Sequence, residues 1–175
     1  MSRPRLRPER TLIVRHARAE PVSSAGEDRR RALTADGRER FRECVSGMET
    51  LGVRLDRIYF SPWLRAQETA ELMGPLLSDK GEFLSCAELA RAPSEFLLEE
   101  LSGRDIALVG HEPWVGELCA WLVGGWPEDG CSLPFKKGGV ALLEGERQPG
   151  RSHLSSFLPP RVLRSLARVH LAQGE

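Results

Sequence analysis

The chain predicts an α/β fold, a three-layer sandwich with a mostly parallel central sheet and helices on both faces. Three short apolar runs, Thr11–Val14, Ile58–Phe60 and Ile106–Val109, are each followed by a stretch with helical spacing of apolar residues. Each run also ends abruptly on polar or turn-forming residues: Arg15-His16, Ser61-Pro62 and Gly110-His111. Apolar runs of this length, separated by helices, are how strands buried on both faces of a parallel sheet read.

The first strand, from Thr11, delivers Arg15 and His16 to the rim of that sheet. Arg carries a planar fork of donors suited to phosphate oxygens, and His serves as a neutral nucleophile or proton carrier near neutrality. Residues 17–33, with Ser23-Ser24, Gly26 and Arg29-Arg30-Arg31, read as a long polar loop able to close on an anion. Thr34 is placed to N-cap the next helix, with Asp36 in its first turn. Phe41, Cys44 or Val45, Met48 and Leu51 form the packed face, and Gly52 stops the helix.

The second strand exits at Ser61-Pro62 into a helix carrying Leu64, Thr69, Leu72, Met73 and Leu76, which puts Arg65 near its first turn. Backbone N–H groups there already favour an anion. A strand over Gly81–Cys86 and a short helix over Ser94–Leu101 follow. The third clear strand ends at His111, with Pro113 at or near the first helical position; Val115, Leu118, Cys119 and Leu122 face inward, and Gly124-Gly125 end the helix. Residues 126–138 form a loop holding Lys136-Lys137, Val140–Leu143 a further strand, and Leu154–Leu158 an edge strand. A last helix from about Pro160 to Leu171 turns Val162, Leu163, Leu166 and Val169 inward.

The bulk numbers fit one domain over residues 11–175, preceded by a solvated, disordered basic tail over residues 1–10 with Arg3, Arg5, Arg7 and Arg10. Lys plus Arg equals Asp plus Glu at 25 each, so global charge gives no argument for nucleic acid. No apolar run approaches a bilayer span, and the opening residues are not a signal peptide, so neither membrane insertion nor export is expected. Cys44, Cys86, Cys119 and Cys131 show no metal-type spacing and read as reduced packing residues of a cytoplasmic protein.

In an open α/β sheet ligands bind beyond the carboxyl ends of the strands. Arg15, His16, Arg65 and His111 all fall there, and such a set suits a phosphoryl group: one imidazole attacks phosphorus while two guanidiniums hold its oxygens. His111-Glu112 lacks the second His of a zinc-protease motif, the position being Val115, and no GxSxG, P-loop or GxGxxG occurs. No metal or other cofactor is expected.

Thr11–Glu20, Ser61–Ala70 and Gly110–Pro113 resemble the three signatures of the histidine phosphatase superfamily, which includes phosphoglycerate mutases and acid phosphatases. Leu33-Thr34 with Gly37, Lys137-Gly138 and residues 154–159 are similar to the short bacterial phosphohistidine phosphatases. The resemblance implies a phosphoglycerate mutase-like fold, His16 as a nucleophile that becomes phosphohistidine, Arg15 and Arg65 as phosphate clamps and His111 as the second pocket imidazole. Ala17 departs from the superfamily's usual Gly, and Ala resists positive φ, so the loop is expected to differ there.

No general acid with the flanking pattern of larger members is evident. Glu88 reads as a surface residue and Glu20 as a loop carboxylate beside Arg18, each with the acid role as its alternative. An alkoxide leaving group needs a proton from the enzyme, whereas an imidazole leaving phosphorus departs more easily. The expected substrate is therefore a phosphohistidine carrier protein, with a small phosphoester as the alternative and a non-catalytic phosphate-binding docking module as a third reading. Ser61 either hydrogen-bonds the phosphate or caps the Arg65 helix. Glu112 either orients His111 or complements its helix. Trp63, Trp114, Trp121 and Trp126 read as core or rim positions, His153 and His170 as surface, and Lys136-Lys137 as a solvated loop or an attractor of acidic protein surface.

Overall fold

The computed structural model describes residues 7–21, 27–125 and 132–173, the last four in backbone only. Arg3, Arg5, Ser23, Ser24, Gly26, Trp126 and Cys131, and the side chains of His170 and Leu171, lie outside the described residues. The strands are β1 (Arg10–Arg15), β2 (Leu55–Phe60), β3 (Leu77–Ser85), β4 (Asp105–Gly110), β5 (Val140–Gly145) and β6 (Ser152–Leu158). They form one sheet in the order β3-β2-β4-β1-β5-β6. The pairs β2–β3, β2–β4 and β1–β4 are parallel, and β5 runs antiparallel to both β1 and β6. The expected α/β sandwich with a mostly parallel sheet is thus present.

The helices are α1 (Ala35–Thr50), α2 (Leu64–Leu72), α3 (Glu95–Glu100), α4 (Trp114–Gly124) and α5 (Pro160–Gln173). Alternation along the central strands sends side chains to two cores. Leu12, Val14, Ala107 and Val109 pack with Phe41 and Met48 of α1, Ala66 and Ala70 of α2, and Leu163 of α5. Ile13, Ile106 and Leu108 face the other way, onto Leu97 of α3 and Val115, Leu118, Trp121 and Leu122 of α4. Each fully buried large side chain contributes about 1.5–3 kcal/mol of hydrophobic stabilisation, which makes the β1–β4 centre the rigid part of the fold.

The helix ends follow local chemistry. Thr34 Oγ1 accepts the Gly37 N–H at 2.9 Å, and Gly52 at φ 72° closes α1. Leu51 is half-exposed rather than packed, because the chain has already left the helix there. In α5, Leu163 and Ala167 are the buried positions, while Val162 and Val169 face solvent. The rotation follows from Gly47 of α1: a Cβ there would lie 2.0 Å from the Leu163 carbonyl oxygen, so this glycine lets α5 dock by its backbone. Arg10, expected in the tail, opens β1 and pairs with Asp105 at 2.7 Å. Cys44, Cys86 and Cys119 are buried free thiols whose pKa burial raises.

Candidate active site

Parallel pairing sets three strand exits side by side. Arg15 is level with Gly110, and Phe60 with Val109. One residue further, His16 N–H donates to the Gly110 carbonyl and Ser61 N–H to the Val109 carbonyl, both at 3.0 Å. His16, Ser61 and His111 therefore leave the sheet at one edge. All three are buried, at 5%, 0% and 2% exposure, so their polar atoms must find partners within the cleft. The His16 and His111 ring centroids stand 5.1 Å apart.

The protonation of His16 follows from its neighbours. Its Nδ1 lies 2.7 Å from the Ala17 carbonyl oxygen, which can only accept, so Nδ1 carries the proton. Arg65 Nε, which can only donate, lies 3.2 Å from Nε2, so Nε2 holds a lone pair. Burial, and then the nearby His111, Arg65 and Arg15, depress the His16 pKa to about 3 against the Ala17 hydrogen bond. The ring is neutral at physiological pH, with an unprotonated nitrogen beside a guanidinium. Ala17 does not have a positive φ; its N–H goes instead to Thr69 Oγ1 at 3.0 Å.

Ser61 Oγ accepts the Trp63 N–H at 3.4 Å and lies 2.8 Å from His111 Nε2. The hydroxyl proton is then free to go to Nε2, which leaves the His111 proton on Nδ1. That nitrogen is buried and has no hydrogen-bond partner among the described residues. Burial first, then Arg65, bring the His111 pKa to about 3 as well. Ser61 thus serves the imidazole, while α2 has no side-chain cap at Trp63.

Arg65 is buried near the start of α2, as expected, but its partner was not anticipated. Its two terminal nitrogens donate to the Asp28 carbonyl at 2.7 Å and to Asp28 Oδ2 at 3.0 Å. Asp28 also accepts from Arg31 Nε at 2.6 Å and is held below the ordinary carboxylate range by these arginines despite some burial. The loop after His16 does close on the site, bringing its own carboxylate. Arg15 donates to the Phe135 carbonyl at 2.5 Å, and its Nε is buried without a partner among the described residues.

The remaining carboxylates separate clearly. Glu112 accepts the Phe135 N–H at 2.6 Å, so with Arg15 it clamps both sides of that residue, and its other carboxylate oxygen lies close to Gly116 in the first turn of α4 rather than on His111. Burial raises its pKa, and it lines the cleft. Glu88 accepts from Ser94 and pairs with Arg91, half-buried and outside the cleft lining. Glu20 is exposed, in a neighbouring groove with Arg18 and Arg31. Trp63 lies 4.5 Å from His111 and under the Arg65 guanidinium at 4.6 Å, with Trp114 edge-on at 6.1 Å. These two tryptophans form the mouth, whereas Trp121 is core. Arg31 belongs to the arginine run of the loop expected to close on an anion, whereas Asp28 was missed because nothing local marks a loop carboxylate that folds back across the sheet edge.

A strand-edge cleft of two neutral imidazoles and two guanidiniums has the chemistry to hold an oxyanion. The model of the histidine phosphatase superfamily (branch 1) matches residues 11–79, the stretch that runs from β1 through the helix of Arg65 into β3. An uncharacterised protein of Picosynechococcus sp. is 29% identical over 163 residues, covering 83% of this chain and 91% of its own. The protein histidine phosphatase SixA, solved in complex with tungstate, superposes with a TM-score of 0.71 at 23% identity, over 87% of this chain and 97% of that one. A phosphoserine phosphatase from Entamoeba histolytica, solved with 3-phosphoglyceric acid, gives 0.65 at 16% identity, over 88% and 98%. A mycobacterial glucosyl-3-phosphoglycerate phosphatase gives 0.63 at 18% identity, over 87% and 100%. At these identities the solved structures speak for the shared fold.

Proposed function

We propose that the protein is a phosphatase that takes the phosphoryl group of a protein phosphohistidine onto His16 and passes it to water. The observation that carries this is the state of His16: one nitrogen donates to the Ala17 carbonyl, and the other presents its lone pair next to Arg65. In the first step that lone pair forms a bond to phosphorus as the bond from phosphorus to the substrate imidazole breaks. The departing imidazole keeps the bonding pair and takes up a proton from solvent water, so that the enzyme need not supply one. In the second step water attacks phosphorus, the phosphorus–Nε2 bond breaks, and the pair returns to His16. Arg15 and Arg65 stabilise the charge on the transferring oxygens, and His111 Nδ1–H donates to one of them.

The carboxylates support this choice of substrate. Asp28 is held ionised by arginines, Glu88 is engaged outside the cleft, and Glu20 is exposed, so none is a poised proton donor. A phosphorus–nitrogen bond, with its basic leaving group, is the class that tolerates this. One observation favours the second reading, a small phosphoester: Glu112 lines the cleft with its pKa raised by burial, as a proton donor to an alkoxide requires.

The test is to incubate wild type and His16→Ala with a radiolabelled phosphohistidine carrier protein and with a panel of small phosphoesters. Label loss from the carrier by wild type alone, through an acid-labile phosphoenzyme, supports the proposal. Turnover of esters but not carrier establishes the second reading, and equal rates for His16→Ala and wild type remove the nucleophile from both. Binding without turnover by wild type makes the protein a docking module.

A further inference from the structure

Beside the catalytic cleft lies a second cavity of about 380 Å³ that shares Arg15 and Lys137 with it. Its floor is apolar, made by Phe41, Cys44 and Pro160, and its rim carries Arg18, Arg40, Lys136, Lys137 and Arg164. Against these cations the lining offers one carboxylate among the described residues, Asp36. The imbalance is local, since the whole chain is neutral.

Asp36 is shared by Arg18 at 3.2 Å and Arg40 at 2.6 Å, and Arg164 is held by Glu43 at 2.8 Å. Lys136 and Lys137 have no ion pair among the described residues. Lys137 is exposed, and the charges acting on it are those of Arg15, Arg31, Arg18 and Arg65, all of its own sign. A concave surface with that field concentrates anions.

The shape selects among anions. Asp36 and Cys44 both line the cavity from one helix, eight residues apart, so the groove runs roughly 12 Å along α1. It continues past Arg18 and Arg40 into a shallower trough bounded by Pro21, Arg31 and Thr34. A small phosphate fills only a fraction of this length. An extended peptide fits both the length and the alternation of apolar floor and basic rim.

We propose that this groove docks an acidic segment of the phosphorylated protein, with apolar side chains against Phe41 and Pro160 and carboxylates on the basic rim. The inference rests on the phosphohistidine-protein reading above. It places recognition of the carrier in contacts separate from those that hold the phosphoryl group, joined to them through Lys137 and Arg15.

The experiment uses Lys136→Glu combined with Arg40→Glu, neither residue lining the catalytic cleft. Turnover is measured on the phosphohistidine carrier and on phosphoramidate, a small donor with the same phosphorus–nitrogen bond. Direct binding of a fluorescein-labelled octaglutamate is titrated at low salt. With two charge reversals, kcat/KM on the carrier is expected to fall at least about tenfold and octaglutamate affinity about as much, while phosphoramidate turnover stays within about twofold. An unchanged carrier rate and unchanged peptide affinity in the folded variant overturn the groove proposal and leave the phosphatase reading standing. A wild type that turns over phosphoramidate but not the carrier removes the phosphohistidine-protein reading. In that case failure of wild type to bind octaglutamate overturns the groove as well, and binding lost only in the variant upholds its preference for acidic chains.

Discussion

Lowering the pH from about 8 to about 5 sets the two cleft imidazoles against the fold while leaving most carboxylates ionised. Both rings have an ordinary pKa of 6.5 and a folded-state value of about 3. Between those values the unfolded chain binds a proton that the folded chain refuses, so stability is complete above 6.5 and is lost as the pH falls toward 3. At about pH 5 the deficit is roughly 1.5 units, worth about 2 kcal/mol for each ring and about 4 kcal/mol for both. That is a large share of the roughly 5–15 kcal/mol that holds a typical domain together. In urea, with a slope near 2 kcal/mol per molar, the unfolding midpoint followed by tryptophan fluorescence is expected to drop by about 2 M. His16→Asn should retain about half of that drop, and His16→Asn with His111→Asn very little of it. A wild-type midpoint that is the same at both pH values, or a doubly substituted protein with the full wild-type drop, refutes the assignment of two neutral buried rings.

Three other outcomes follow from particular contacts. Asp28→Asn removes the carboxylate that Arg65 holds at 3.0 Å, and the affinity for tungstate is expected to rise about fivefold, a screened charge-assisted bond of about 1 kcal/mol; weaker binding would mean that Asp28 assists the anion. Glu112→Gln keeps an acceptor for the Phe135 N–H but has no acidic proton, and carrier turnover should stay within about twofold; a loss of about a hundredfold or more would make Glu112 the acid. Gly47→Ala drives a methyl into the Leu163 carbonyl and should lower Tm by roughly 4–8 °C in a melting curve, while an unchanged Tm would show that α1 and α5 can part freely.

Much of the fold was legible because buried parallel strands announce themselves. The apolar runs ending at Arg15, Phe60 and Gly110 needed no context, and site residues that sit one step beyond a strand end inherit that clarity. The β3 strand was read short because it lies at the sheet edge with most of its side chains in solvent, so its pattern carries little hydrophobic signal. The inward face of α5 was misread for a related reason: Val162 and Val169 fit the helical period, yet contact through Gly47 is between backbones and leaves no mark on the α5 sequence. Asp28 stands 37 positions from Arg65 and meets it only because the loop turns back over the cleft. The split among the tryptophans was equally closed to inspection, since Trp63 and Trp114 at the mouth and Trp121 in the core are alike in composition and differ only in which end of a helix they occupy.

Thr69 has a wider consequence than its two hydrogen bonds suggest. Its hydroxyl donates to the Arg65 carbonyl at 2.6 Å and accepts the Ala17 N–H at 3.0 Å, pinning the main chain next to His16 to the helix that carries Arg65. The spacing of the His16 and Arg65 backbones is therefore a property of two rigid elements riveted by one buried atom. Side chains around the opening can be exchanged without moving that joint, so what the opening admits can change while the distances underneath stay as they are.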